Sequence, residues 1–293
     1  MTTAARPLSD VEQLRSAVAV QERRFGPHSR AIWHLPHLTD VGRAGGLVLG
    51  AFTDVGTPSE ACRGVIIDLV ADADGYPARR TAMWCVSDGT ENRGIGTLLR
   101  ESERRLHQRV GVDLVYWDID PLNSQGLHIC LNKLAGIATG FTQDAVGAAR
   151  DPLVPGLATD RIRIEWWIDS PRVVARFDEG SPLPYEDVGL HEMTVLTATT
   201  LRPSGLRGLT GEPQSPDGAH ALVEIPESLP ETEARDRDAA IQWRLRSREM
   251  LTQLFSDGYL GVGLIHEGGR SFLVFKRGTR RTELGTTASR RRR

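Results

Sequence analysis

Residues 93–97 read Arg-Gly-Ile-Gly-Thr and stand between an apolar, strand-like run (80–86) and an amphipathic, helix-like stretch that starts at Gly94. A helix N-terminus exposes backbone N–H groups and the positive end of the helix dipole, and glycines let an anion come close to those groups. Arg93, Gly94, Ile95, Gly96 and Thr97 are therefore a candidate cradle for a phosphate or pyrophosphate. The other reading of the same residues is an ordinary strand-to-helix turn. Two better-known phosphate loops are excluded, because no Gly-Lys-Ser/Thr triplet is present and the glycines do not follow G-x-G-x-x-G with an acidic residue about 20 positions on. His34 and His37 are three residues apart, but no carboxylate or third ligand stands near them in sequence, so no metal is expected there. Cys62, Cys85 and Cys130 form no C-x-x-C pair and leave one over, which suits a reducing cytoplasm and not a disulfide framework or zinc ribbon.

The elements that must position these residues follow from periodicity and turn chemistry. Ser9 with Glu12 reads as a capping box that opens a helix over 9–24, with Val11, Leu14, Ala17 and Val18 on one face. Residues 25–44 read as a loop or short helix. Strands are expected at 45–52, 64–70, 80–86 and 112–119, the first two as an antiparallel hairpin. The helix from Gly94 carries Ile95, Leu98, Leu99, Leu106 and Val110 on one face and is closed by Gly111. Pro121 stops the strand before it, and 123–134 reads as a short helix. Residues 161–168 alternate as a half-exposed strand. Residues 177–190 and 202–219 are Pro-, Gly-, Ser- and acid-rich and read as linkers or long loops, with a strand at 192–200 between them. A short strand at 222–225 precedes a helix over 233–256 with Ile241, Leu245, Leu251, Leu254 and Phe255 inward. Residues 259–265 and 272–275 read as a hairpin.

The chain has 293 residues, 40% apolar and 25% charged, with a net charge of −2, which is globular composition and enough length to bury a core. No global basic field exists to hold nucleic acid or an anionic membrane. No apolar run approaches the ~20 residues that span a bilayer, and the early charges Arg6, Asp10 and Glu12 do not fit a secretory leader, so the expected location is cytoplasmic. The tail from Gly278, ending in four arginines, is expected to be disordered.

The strand, the Arg93-Gly94-Ile95-Gly96 loop and the long helix together resemble the GNAT acyltransferase superfamily. So do the next strand (112–119) and the ending Asn132-Lys133-Leu134-Ala135-Gly136. A closer resemblance is to a bacterial branch of predicted GNAT acetyltransferases with a C-terminal extension. It rests on residues 45–52, Asp120-Pro121-Leu122, Thr159-Asp160-Arg161, Glu165-Trp166, residues 223–226, Trp243-Arg244 with Arg248, and Gly258-Tyr259. The resemblance covers most of residues 8–276. It implies an α/β (α+β) fold with a mixed, mostly antiparallel sheet flanked by helices. The implied division is an acyltransferase domain at 1–170, an extension at 171–277 packing on its sheet, and a tail at 278–293.

The implied reaction is direct attack of a small-molecule amine on a phosphopantetheine thioester, without an acyl-enzyme. The donor is acyl-CoA or an acylated carrier protein, no cofactor is held permanently, and the protein is a monomer or homodimer. The backbone of Trp84, Cys85 and Val86 would hold the donor and the oxyanion. Asp118, Asp120 and His128 are the base or relay candidates; Asp118 and His128 are taken as catalytic, and Asp120 as a helix N-cap. His34, Trp117 and Trp166 are assigned to the acceptor side. Glu91 stands where the family has Gln or Arg, and Asn92 where Gly is common, which favours a carrier-protein arm with its single phosphate over free acyl-CoA. Leu131 stands where many members have the tyrosine that protonates the leaving thiolate. Two other readings are an aminoacyl-tRNA-dependent enzyme, to which only the Arg-rich tail points, and a thioester-binding module without turnover.

Overall fold

The computed structural model describes residues 2–73, 75–89, 93–145, 158–186 and 193–278, so Glu91, Asn92 and the arginine tail lie outside the described residues. The chain forms two compact units, Met1–Trp117 and Asp118–Arg293.

The first unit begins with an edge strand β1 (Thr3–Pro7), then α1 (Val11–Phe25) and α2 (Leu35–Arg43). Its remaining strands are β2 (Leu47–Thr53), β3 (Ala61–Ala73) and β4 (Tyr76–Val86), followed by α3 (Ile95–Arg109) and β5 (Leu114–Ile119), which crosses the division. Pairing runs β1–β2–β3–β4 antiparallel and β4–β5 parallel. On one face α1 and α2 bury Leu14, Ala17, Val20, Leu38 and Val41 against Val48, Val65, Ile67 and Cys85. On the other, Ile95 and Leu99 of α3 pack on Leu49, Ala51 and Ile66. Gly64 makes that approach possible, because a Cβ there would stand 2.9 Å from Leu99 Cδ1 and 3.0 Å from Ile95 Cγ2.

The second unit contains the short α4 (Ser124–Leu127), a π turn (His128–Lys133), β6 (Ile137–Thr142), β7 (Arg161–Trp167) and α5 (Pro171–Phe177). Beyond them lie β8 (Thr194–Val195), β9 (Ala198–Leu201), β10 (Arg207–Thr210), β11 (His220–Ile225), α6 (Leu229–Arg235), α7 (Arg237–Ser256), β12 (Tyr259–Glu267) and β13 (Arg270–Arg277). β7–β6–β12–β13–β11 are antiparallel neighbours, β8 adds in parallel, and β9 with β10 forms a separate hairpin. The molecule is thus a mixed α+β fold with mostly antiparallel sheet, flanked by helices, and with a C-terminal α+β region. Among the described residues no helix is long and apolar enough to cross a membrane.

Several local expectations are corrected. The N-cap of α1 is Asp10, which accepts from the Gln13 N–H at 2.8 Å while Ser9 N–H donates to Gln13 Oε1 at 3.1 Å; the box exists one residue later than Ser9 and Glu12 imply. Segment 202–219 holds β10. The expected helix over 233–256 is broken at Asp236, which N-caps α7. Ile241 and Leu245 face outward, and Val110 is exposed past the end of α3. β7 is mostly buried and not half exposed.

Candidate functional site

β4 and β5 pair over only three positions, Ala78–Leu114, Arg79–Val115 and Arg80–Tyr116, after which β4 continues to Val86 against β3 alone. The Ser87 N–H donates to Arg63 O at 2.7 Å, so by strand alternation the N–H of Cys85 also faces β3. The amides of Trp84 and Val86 then point to the side that β5 has left. Past β4, Gly94 takes φ +77 in the left-handed region, where a side chain is strained, and α3 begins at Ile95 with no side-chain cap on its first N–H groups. Arg93, Gly94 and Thr97 are exposed. Ile95 directs its side chain into the core, so what it can offer an anion is its amide. Gly96 lies against the Trp84 indole, a Cβ on it standing 3.4 Å from Trp84 Cζ2. The first amides of α3 are therefore left without a side-chain cap beside the end of β4.

Behind this turn lies a charged cluster that apolar patterning does not reveal. Arg100, two turns into α3, is fully buried. Its Cζ is 4.2 Å from the Trp84 ring centre and 4.1 Å from that of Trp117. Its Nη1 donates to Glu103 Oε1 (2.9 Å), Glu103 Oε2 (2.8 Å) and Thr81 Oγ1 (3.1 Å). Its Nε and Nη2, and Nε1 of Trp84, are buried with no hydrogen-bond partner among the described residues. One turn further, His107 Nε2 meets Asp68 Oδ2 at 2.9 Å. Burial pushes Asp68 up, and pushes Glu103 up to about 8 against the pull of Arg100. Burial also holds His107 down to about 4. One oxygen each of Asp68 and Glu103 and one nitrogen of His107 lie within 4.8 Å of one another, close enough for one ion. Both Glu103 oxygens already accept from a fixed guanidinium, so the cluster is built around Arg100 and protons, not a metal. A legible trace exists: Arg100, Glu103 and His107 recur at helical spacing, and Asp68 interrupts a β-branched run.

Of the other expected site residues, His34 and Cys85 belong to the first unit and Asp118, His128 and Trp166 to the second. His34 N-caps α2 without a side-chain bond, on the face opposite α3, and Trp33 beside it makes an edge contact with His37 at 6.3 Å. Cys85 is a core residue whose thiol burial raises to about 12. In the second unit Asp118 accepts from Arg163 Nε at 3.2 Å. His128 opens the π turn at the surface, and partial burial, then Lys133, Arg176 and His266, hold it below the usual histidine range. Trp166 is fully buried and packs on Phe177 at 5.9 Å. Leu131 is fully buried. Asp120 is not the expected helix N-cap. Asn123 caps α4 instead, and both Asp120 oxygens accept from Arg244 at 2.8 and 2.6 Å.

No family model matches the sequence, and no curated protein matches it. Solved structures with similarity to part of the chain were found. An N-acetyltransferase from Staphylococcus aureus is 13% identical, TM-score 0.45, over 58% of this chain and 100% of that one. An acetyltransferase of the GNAT family from Streptococcus pneumoniae is 12% identical, TM-score 0.45, over 56% and 98%. An aminoglycoside acetyltransferase from an uncultured soil sample, solved with sisomicin, is 16% identical, TM-score 0.37, over 43% and 82%. All three are acetyltransferases.

Proposed function

We propose that this chain is a GNAT-type N-acyltransferase, moving an acyl group from a phosphopantetheine thioester, acyl-CoA or an acylated carrier protein, to the amine of a small molecule. The observation that carries this reading is the parting of β5 from β4 beside an uncapped helix N-terminus with a left-handed glycine. A phosphate at residues 93–97 would leave the thioester arm to run along the free edge of β4, where the arm's amides can pair with the strand. The amine attacks the thioester carbonyl carbon, a C–N bond forms, and the oxyanion accepts from the Trp84 or Val86 amide. The C–S bond then breaks and the thiolate leaves. The burial of Cys85, with its thiol pushed up to about 12, supports direct transfer over an acyl-enzyme.

The amine must lose a proton, and the sequence names His128 and Asp118 as candidate bases: His128, held below the usual histidine range, is a neutral acceptor at pH 7, whereas Asp118 is engaged by Arg163. The buried, apolar Leu131 offers the departing thiolate no proton, which supports water or the thiolate itself carrying that step. The same leucine also favours the second reading, a thioester-binding module without turnover.

The test is native mass spectrometry of the full chain with CoA, acetyl-CoA and a phosphopantetheinylated carrier protein, followed by thiol release in the presence of amines. Retention of a thioester with turnover that falls about 100-fold in His128→Ala is the expected result. Retention without turnover selects the binding module, and no retention overturns both.

A further inference from the structure

Arg100 is a buried cation that the fold and the acyl-transfer scheme leave without a role. Its guanidinium lies between the indoles of Trp84, on β4, and Trp117, on β5, the two strands whose parting carries the proposed function. Among the described residues Nη1 alone is used, on Glu103 and Thr81. Nε and Nη2 form the other edge, two parallel N–H groups matched in spacing to the two oxygens of a carboxylate, and among the described residues both are buried without a partner. The Trp84 Nε1–H is a third buried donor without an acceptor, on a ring that touches both Arg100 and Gly96 of the first turn of α3. Three such donors are costly to bury unless something accepts from them. Indole rings cover the guanidinium, so a ligand is offered its free edge, and a planar two-oxygen acceptor fits that edge. Trp84 is half-buried, so its ring extends from the buried Arg100 toward solvent. Burial raises both Asp68 and Glu103, against the pull of Arg100.

We propose that Arg100, with Trp84, reads a carboxylate at the far end of the donor's acyl group, so that the preferred donor is the thioester of a dicarboxylic acid, of the malonyl, succinyl or glutaryl class. This rests on the acyl-transfer reading above and adds its substrate class.

The experiment compares the affinity of the full chain for succinyl-CoA with that for butyryl-CoA, which has the same chain length and no carboxylate, with acetyl-CoA in parallel. The expected result is succinyl-CoA held on the order of tenfold tighter than butyryl-CoA, as a charge-assisted pair of hydrogen bonds provides. That ratio is expected to fall toward one in Arg100→Lys, which keeps the charge and loses the fork, and to shrink a few-fold in Trp84→Phe, which keeps an aromatic ring and loses the N–H. If Arg100→Lys does not fold, the wild-type ratio and Trp84→Phe decide. Equal binding of succinyl-CoA and butyryl-CoA, or a preference that survives in the folded variants, overturns the inference and leaves acyl transfer standing. A preference that free succinate removes no better than free butyrate also overturns it. Failure of all three thioesters to bind overturns both.

Discussion

Arg100 in the first unit and Arg244 in the second are both buried arginines, 0% and 2% exposed, and they are held in opposite ways. Arg244 sets Nη1 and Nη2 on the two oxygens of Asp120, and one turn later Arg248 sets Nε and Nη2 on Asp160 at 3.1 and 2.6 Å. Each of those guanidinium forks closes on a carboxylate fork, the strongest arrangement available to the pair. Among the described residues Arg100 spends one nitrogen and leaves the Nε/Nη2 edge buried without a partner, whereas Arg244 leaves only Nε so. The difference separates two uses of the same side chain. A fork filled from within is a clamp between segments distant in sequence, and an unfilled fork is a reader of something that arrives.

The comparison is broken most directly at the clamp. Arg244→Ala leaves the Asp120 carboxylate without its partner and is expected to cost about 3–5 kcal/mol in chemical denaturation, as removal of one member of a buried pair does. A loss below about 1 kcal/mol would mean that Asp120 is solvated and the clamp idle. Next in size is the pH response of the Arg100 cluster. A buried acid raised to about 8 keeps its proton in the folded state after the unfolded chain has lost it, so stability falls as pH rises from the ordinary carboxyl range through about 8. His107, lowered to about 4, acts oppositely but only below pH 6.5. Between pH 6.5 and 8 Glu103 therefore contributes a decline of about 2 kcal/mol, and Glu103→Gln should flatten that part of it in pH-resolved melts. Gly94→Ala, forced to a left-handed backbone in open space, is expected to cost about 1 kcal/mol and to weaken thioester binding with it. Smallest is Glu212→Gln, which removes the charge from one of two exposed partners of Arg246 and should leave the melting temperature where it was.

Much of the sheet is legible in the sequence because β-branched runs and turn residues mark it. β2, β3, β4 and β5 fall where patterning puts strands, and the glycines at 94 and 111 take the left-handed backbone that ends or opens a helix. β1 escapes notice because an edge strand needs no apolar pattern and tolerates Pro7. α7 is misread for a different reason. Its periodicity proposes Ile241 and Leu245 as the inner face, but Arg244 and Ser247 are inside, because the ion pair with Asp120 rewards burying an arginine there. The same error of principle hides the Arg100 cluster: a search for apolar stripes passes over charged residues at helical spacing. Residues 93–97 stand at the start of α3, and Trp84 and Trp117 stack on Arg100, a contact that residue type and position alone do not state. His34 and Trp166 lie at places fixed by helix packing and core formation, which spacing along the chain does not record.

Asn132 in the π turn donates to Leu264 O at 2.7 Å and accepts from the Leu264 N–H at 2.8 Å. With the Asp120–Arg244 and Asp160–Arg248 pairs, this makes the middle of the chain depend on residues translated long after it. During synthesis Asp120, Asn132 and Asp160 leave the ribosome before α7 and β12 exist to receive them. Until then two carboxylates and a carboxamide destined for burial must remain in water. The second unit thus has a late completion step, and a nascent chain stalled ahead of α7 would present an open sheet edge at β6 to whatever chaperone or neighbour it meets.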